Sequence, residues 1–174
     1  MRFKHSFLLL GLFVLASAFT YKTYFTTEHK TNLEKSVEPG TWTDFETAVK
    51  LAQKDQKKIL VDVYTDWCKW CKVMDEKTFS EQGTSAYLAE NFHLAKFNAE
   101  QQETITFKGK TYAFKSNGRR GYHGFAEKIL DGRLSYPSLV VFDSDLNKLE
   151  VIRGFKNPKE LRQILDAIQS HVKS

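Results

Sequence analysis

The two cysteines of this 174-residue chain stand as Cys68-Lys69-Trp70-Cys71. Two thiols at that spacing can close a disulfide and reopen it by thiolate attack. Whether they do so depends on where the backbone puts them. Residues 59–65, ILVDVYT, read as a buried strand dominated by branched and aromatic side chains. The following DWCKWCKVMDEKTF turns from strand into helix, which places Cys68 at the helix start. Free N–H groups and the helix dipole favour an anion there, and Lys69 adds a positive charge. The Cys68 thiolate is therefore expected to be favoured, with a pKa in the ~3.5–7.5 range of such cysteines. Cys71, three residues on and less exposed, is expected to resolve the mixed disulfide that Cys68 forms. Other readings of the pair are a static structural disulfide and a metal site completed by His and carboxylates. Haem attachment is excluded, because Lys72 and not His follows Cys71.

The N-terminus bears on the redox setting. Residues 1–6, MRFKHS, are basic and polar, and residues 7–19, FLLLGLFVLASAF, form an unbroken apolar run ending near a small-x-small pattern, Ala16-Ser17-Ala18. This fits a signal peptide over 1–18; the competing reading is an uncleaved anchor through 7–19. No cysteine follows the run, so lipid attachment through an N-terminal Cys is excluded. An exported, periplasmic protein meets an oxidising compartment, where two unpaired buried thiols would be out of place.

Residues 19–41 read as a linker ending in Pro39-Gly40, and 42–174 as one domain. Within it, a capping box of Thr43 and Glu46 starts a helix with Trp42, Phe45, Val49 and Ala52 on one face. A helix over 84–91 and a strand over 92–98 follow. Residues 104–114 predict a hairpin turning at Lys108-Gly109-Lys110, then a loop at 116–121 and a helix near 122–130. A buried strand at 138–143, a turn at Ser144-Asp145 and a paired strand at 148–153 precede a last helix. Asn157 caps that helix and Pro158 begins it; Leu161, Ile164, Leu165, Ile168 and Val172 form its stripe. The order βαβ, inserted hairpin and helix, ββα predicts an α/β sandwich around a mixed sheet. With 41% hydrophobic residues and 14 Phe, 7 Tyr and 3 Trp, the chain can fill a core and is not disordered. Two cysteines exclude a disulfide-dense scaffold and a four-thiolate zinc site. Net charge is +5, but the basic residues are scattered among acids, so nucleic-acid binding is not expected. A monomer is expected.

The segment 59–71, ILVDVYTDWCKWC, resembles the active-site segment of thioredoxin-like proteins, above all the exported bacterial members whose motif reads D-W-C-x-W-C-K. The resemblance covers roughly 42–172 apart from an insertion near 101–133. It implies a thioredoxin-like sandwich: a central mixed β-sheet flanked by helices, with an inserted hairpin and helix before the cis-proline strand. Asp62 matches the family's buried acid and Lys96 the lysine beside it. Tyr136-Pro137-Ser138 matches the segment holding the cis-proline.

These matches also have physical readings. Burying Asp62 as an anion is costly, so its pKa should rise and let it accept the Cys71 proton; the alternative is a strand edge that leaves it in water. Lys96 supports that proton transfer or is a plain surface lysine. Pro137 either makes the cis bond or simply starts a strand. Trp67 and Trp70, with Tyr136 and Pro137, form a substrate platform, or the indoles pack on their own loops. His93 and His123 read as solvated or structural, and Arg119-Arg120 as a solvated turn, with partner docking the lesser alternative. The Lys-Trp dipeptide departs from the Gly-Pro of cytosolic thioredoxins and the Gly-His of disulfide isomerases, so redox direction does not transfer from either. By resemblance a reductase of protein disulfides is favoured over an oxidase, recharged by a membrane-embedded thiol donor. No small-molecule cofactor or metal is required beyond the redox-active Cys68–Cys71 pair. The competing function is a non-catalytic client-binding module with a structural disulfide.

Overall fold

Strand β2 (Lys58–Tyr64) is the middle of a five-stranded sheet, which is why its sequence is apolar almost throughout. The computed structural model describes residues 38, 40–118 and 120–171. The expected signal peptide or anchor, most of the expected linker, Arg119 and Val172 lie outside them. Strand β3 (Phe92–Asn98) runs parallel to β2, with Asp62 level with Lys96. Strand β8 (Ser138–Phe142) runs antiparallel on its other side, and β9 (Lys148–Arg153) pairs antiparallel with β8. A two-residue strand β1 (Trp42–Thr43) completes the order β1-β3-β2-β8-β9. The sheet is mixed, as expected.

Alternation along β2 divides the core. Ile59, Val61 and Val63 pack with helices α1 (Phe45–Asp55) and α4 (Gly124–Ile129), around Phe45, Phe97, Phe125 and Phe142. Leu60 points the other way, among residues of α2 (Lys69–Met74), α3 (Gln82–Asn91) and α5 (Pro158–His171): Met74, Leu88, Leu161 and Leu165. Asp62 shares the Leu60 face, so the strand period itself aims the carboxyl beneath α2. Phe125 is fully buried, and its ring meets those of Phe45, Phe97, Phe107 and Tyr112. Side chains of this kind stabilise by about 1.5–3 kcal/mol each when buried.

The cap of α1 differs from expectation. Asp44, not Thr43, accepts the Thr47 backbone N–H at 2.8 Å, and its other oxygen takes the Thr47 hydroxyl at 2.7 Å. Thr43 is drawn into β1, where it pairs with Ala95 and donates to the Leu94 carbonyl at 3.2 Å. A strand pairing 51 residues away thus outcompetes a local cap. The expected cap of α5 is present: Asn157 accepts from Glu160 N–H at 3.0 Å, and Glu160 reciprocates at 3.1 Å.

The insertion holds two hairpins, not one. Strands β4 (Ile105–Phe107) and β5 (Lys110–Tyr112) turn at Lys108-Gly109, both at positive φ, as a two-residue turn of this twist requires. Residues 116–121, expected as a loop, and the expected start of a helix near 122 instead belong to a second hairpin of β6 (Phe114–Asn117) and β7 (Arg120–His123). Helix α4 therefore starts at Gly124 rather than near 122. The cap is His123, fully buried, whose Nδ1 accepts the Phe125 N–H at 3.1 Å while Nε2 meets the Glu103 carbonyl at 3.0 Å. Both contacts suit the neutral ring with its hydrogen on Nε2, and burial pushes its pKa down. His123 is structural, one of the two roles anticipated for it.

Candidate active site

At the end of β2 the chain passes through Thr65, Asp66 and Trp67 before Cys68 caps α2 in extended conformation. The Cys71 backbone N–H donates to Cys68 Sγ at 3.1 Å. The first turn of the helix is thereby aimed at one sulfur, the geometry that stabilises a thiolate. The two cysteines are joined as a disulfide, with Cα atoms 5.3 Å apart.

Exposure does not separate the pair as expected. Cys68 and Cys71 are each 4% exposed, whereas Trp67 and Trp70 are 65% and 59% exposed. The two indoles are the exposed large hydrophobic side chains of the described residues. Both are also tied to the domain, as the packing reading of them expects. Trp67 Nε1 donates to both carboxylate oxygens of Glu100, at 3.0 and 3.1 Å, and its ring meets Tyr136 edge-on at 6.1 Å. Trp70 packs on Phe155 with ring centroids 5.5 Å apart. The Tyr136–Pro137 peptide bond is cis. Burial, and then the nearby Glu100 charge, push the Tyr136 hydroxyl up to about 12, so it stays protonated.

Asp62 is 2% exposed, which removes the water-exposed alternative. One of its oxygens accepts from Lys96 Nζ at 2.9 Å; the other has no partner among the described residues. Burial pushes its pKa up, Lys96 pulls it part of the way back and Asp75 pushes it up again, to about 6. Lys96 is not a free surface lysine. Its ammonium also donates to Asp75 at 2.5 Å and lies 5.4, 5.2 and 5.8 Å from the rings of Trp42, Tyr64 and Phe79. Burial alone would push its pKa down; the two carboxylates more than offset this and raise it.

Asp75 is the site residue that sequence reasoning missed. It lies four residues after Cys71, a spacing that shares a helix face, and there α2 widens into a π-turn over Asp75–Phe79. His93 lies outside the site and meets Asp55 at 2.9 Å. Among the described residues no three His, Cys, Asp or Glu side chains form a metal-ligating group.

The profile of the thioredoxin-like domain family matches residues 45–169. A 41-residue stretch is 42% identical to the thiol:disulfide interchange protein DsbD of Actinobacillus pleuropneumoniae serotype 5b (strain L20), spanning 24% of this chain and only 7% of that protein. Among solved structures, a DsbH oxidoreductase superposes with a TM-score of 0.51 at 15% identity, over 74% of this chain and 84% of that one. A thioredoxin from Thermus thermophilus does so with the same score and identity, over 75% and 85%. At these identities the structures speak for the fold; the profile, covering most of the domain, speaks for descent. The chain belongs to the thioredoxin-like family and carries its Cys68–Cys71 pair in that family's disulfide oxidoreductase fold.

Proposed function

We propose that the protein is an exported thiol–disulfide oxidoreductase that reduces disulfides in protein clients. The observation that carries this reading is the Cys71 N–H bonded to Cys68 Sγ at the head of α2. In the reduced protein the Cys68 thiolate attacks one sulfur of a client disulfide. A Cys68–client bond forms, and the other client sulfur leaves as a thiolate. Cys71 then gives its proton to Asp62 and attacks Cys68. The Cys68–client bond breaks, the second client thiol is released, and two electrons have passed from the pair to the client.

In this scheme Lys96 holds Asp62 by a 2.9 Å bond and favours its ionised form between cycles. Tyr136, Pro137, Trp67 and Trp70 receive the client chain. Residues 1–18 act as the export signal or, uncleaved, as an anchor; 19–41 link it to the domain at 42–174. The oxidised pair is recharged by a membrane-embedded thiol donor, and no further cofactor takes part.

The test is insulin reduction. The wild-type protein should accelerate it, and Cys68→Ser should fall to background; equal activity in the two would end this reading. The potential of the pair settles direction, since about −270 mV marks a reductant and about −120 mV an oxidant. A second reading, a client-binding module with a structural disulfide, draws support from the 4% exposure of both cysteines. It requires a bond that resists mild reductant.

A further inference from the structure

The insertion builds something the sheet and helices do not need. Between its β6–β7 hairpin and the Trp67 loop lies a cleft of about 760 Å³, lined by Trp67, Glu100, Gln102, Phe114, Ser116 and Arg120 among others. Trp67 is the shared wall. It immediately precedes Cys68 and packs against Tyr136, the residue before the cis proline. The cleft therefore shares a wall with the loop that leads into the reactive pair. Glu100 fixes this wall, because both of its oxygens hold the Trp67 indole, at 3.0 and 3.1 Å.

The hairpin wall is shaped by Gly121. A Cβ there would sit 2.1 Å from Cζ of Phe114, so only glycine lets that ring lie across β7. Arg120 is exposed and has no carboxylate partner among the described residues; the Glu100 carboxylate keeps its charge, but both of its oxygens are turned to the indole. An open, partly aromatic cleft that presents the Arg120 guanidinium suits a chain passing through it better than a small molecule enclosed by it.

We propose that this cleft is a client subsite. It takes an extended polypeptide segment beside the target disulfide, with an apolar residue against Trp67 and Phe114 and a carboxylate on Arg120. The proposal rests on the oxidoreductase reading for its role, but its test does not require turnover. Two labelled peptides, identical except for Asp or Lys in the flank and with Ser in place of Cys, are titrated against the oxidised full chain by fluorescence anisotropy. The Asp peptide should bind about two- to fivefold more tightly, as for an exposed ion pair, and the preference should shrink with added salt. Arg120→Glu should invert it, and Gly121→Val, which displaces the Phe114 ring, should weaken both peptides. Because Arg120 is exposed, its variant should keep the wild-type circular dichroism. Equal binding of the two peptides, or a preference that Arg120→Glu leaves unchanged, overturns the proposal. A charge preference without insulin reduction would sink the catalytic reading and keep the subsite; reduction without a preference would do the reverse.

Discussion

Replacing Cys71 with serine is expected to turn turnover into a trap. Cys68 keeps the Cys71-position backbone N–H that bonds its sulfur at 3.1 Å, because that donor is main chain and survives the substitution. Attack on a client disulfide should therefore proceed, while the second step has no thiol to complete it. Insulin reduction should drop to background, and a covalent Cys68–client adduct should build up, visible as a mass increase that dithiothreitol removes. Cys68→Ser should show neither turnover nor adduct. If both single variants formed adducts equally well, the assignment of attack to one sulfur and resolution to the other would be wrong.

The second large effect is expected at Asp62, and it runs in opposite directions for stability and activity. Burial first of all lifts this carboxyl from an ordinary 3.8 to about 6. A raised carboxyl means that the fold prefers the protonated form. The cost of ionising it is absent below about pH 4, grows as pH rises toward about 6 and is complete above that. The difference corresponds to about 3 kcal/mol at neutral pH. Asp62→Asn removes the charge and leaves Lys96 paired with Asp75, so urea unfolding should show a gain of about 1–3 kcal/mol above pH 6 that fades toward pH 4. Turnover at neutral pH should slow by about a hundredfold, the usual scale for losing a proton acceptor. A variant destabilised equally at both pH values would contradict the burial argument. One that reduces insulin at the wild-type rate would remove Asp62 from the mechanism.

Much of this site was readable from residue order because its parts are local or strongly patterned. Strands β2 and β8 are nearly apolar runs, β3 and β9 interleave apolar with polar residues, and Asn157-Pro158 announces its helix within two residues. Cys68 and Asp62 follow from one strand–helix junction. What escaped depends on distant partners. Thr43 reads as a cap until β3 offers it a carbonyl. Strands β6 and β7 pair only with each other and, Phe114, Tyr122 and the buried His123 apart, hold Lys, Ser, Asn, Arg and Gly, so no alternating apolar face marks them. Asp75 looks like any acid on a solvated helix; its meaning comes from Lys96, 21 residues on, which arrives through the register of β2 with β3. The near-complete cover of Cys68 also has no local signature, since its sequence neighbours Trp67 and Lys69 are themselves exposed.

The most direct test is the ionisation of Cys68 in the reduced protein, followed as the rate of iodoacetamide alkylation against pH. A single modified site titrating in the range of about 3.5–7.5 is the predicted result. A titration at the ordinary thiol value of about 8.5, or a sulfur that reacts only once the chain is unfolded, would contradict it.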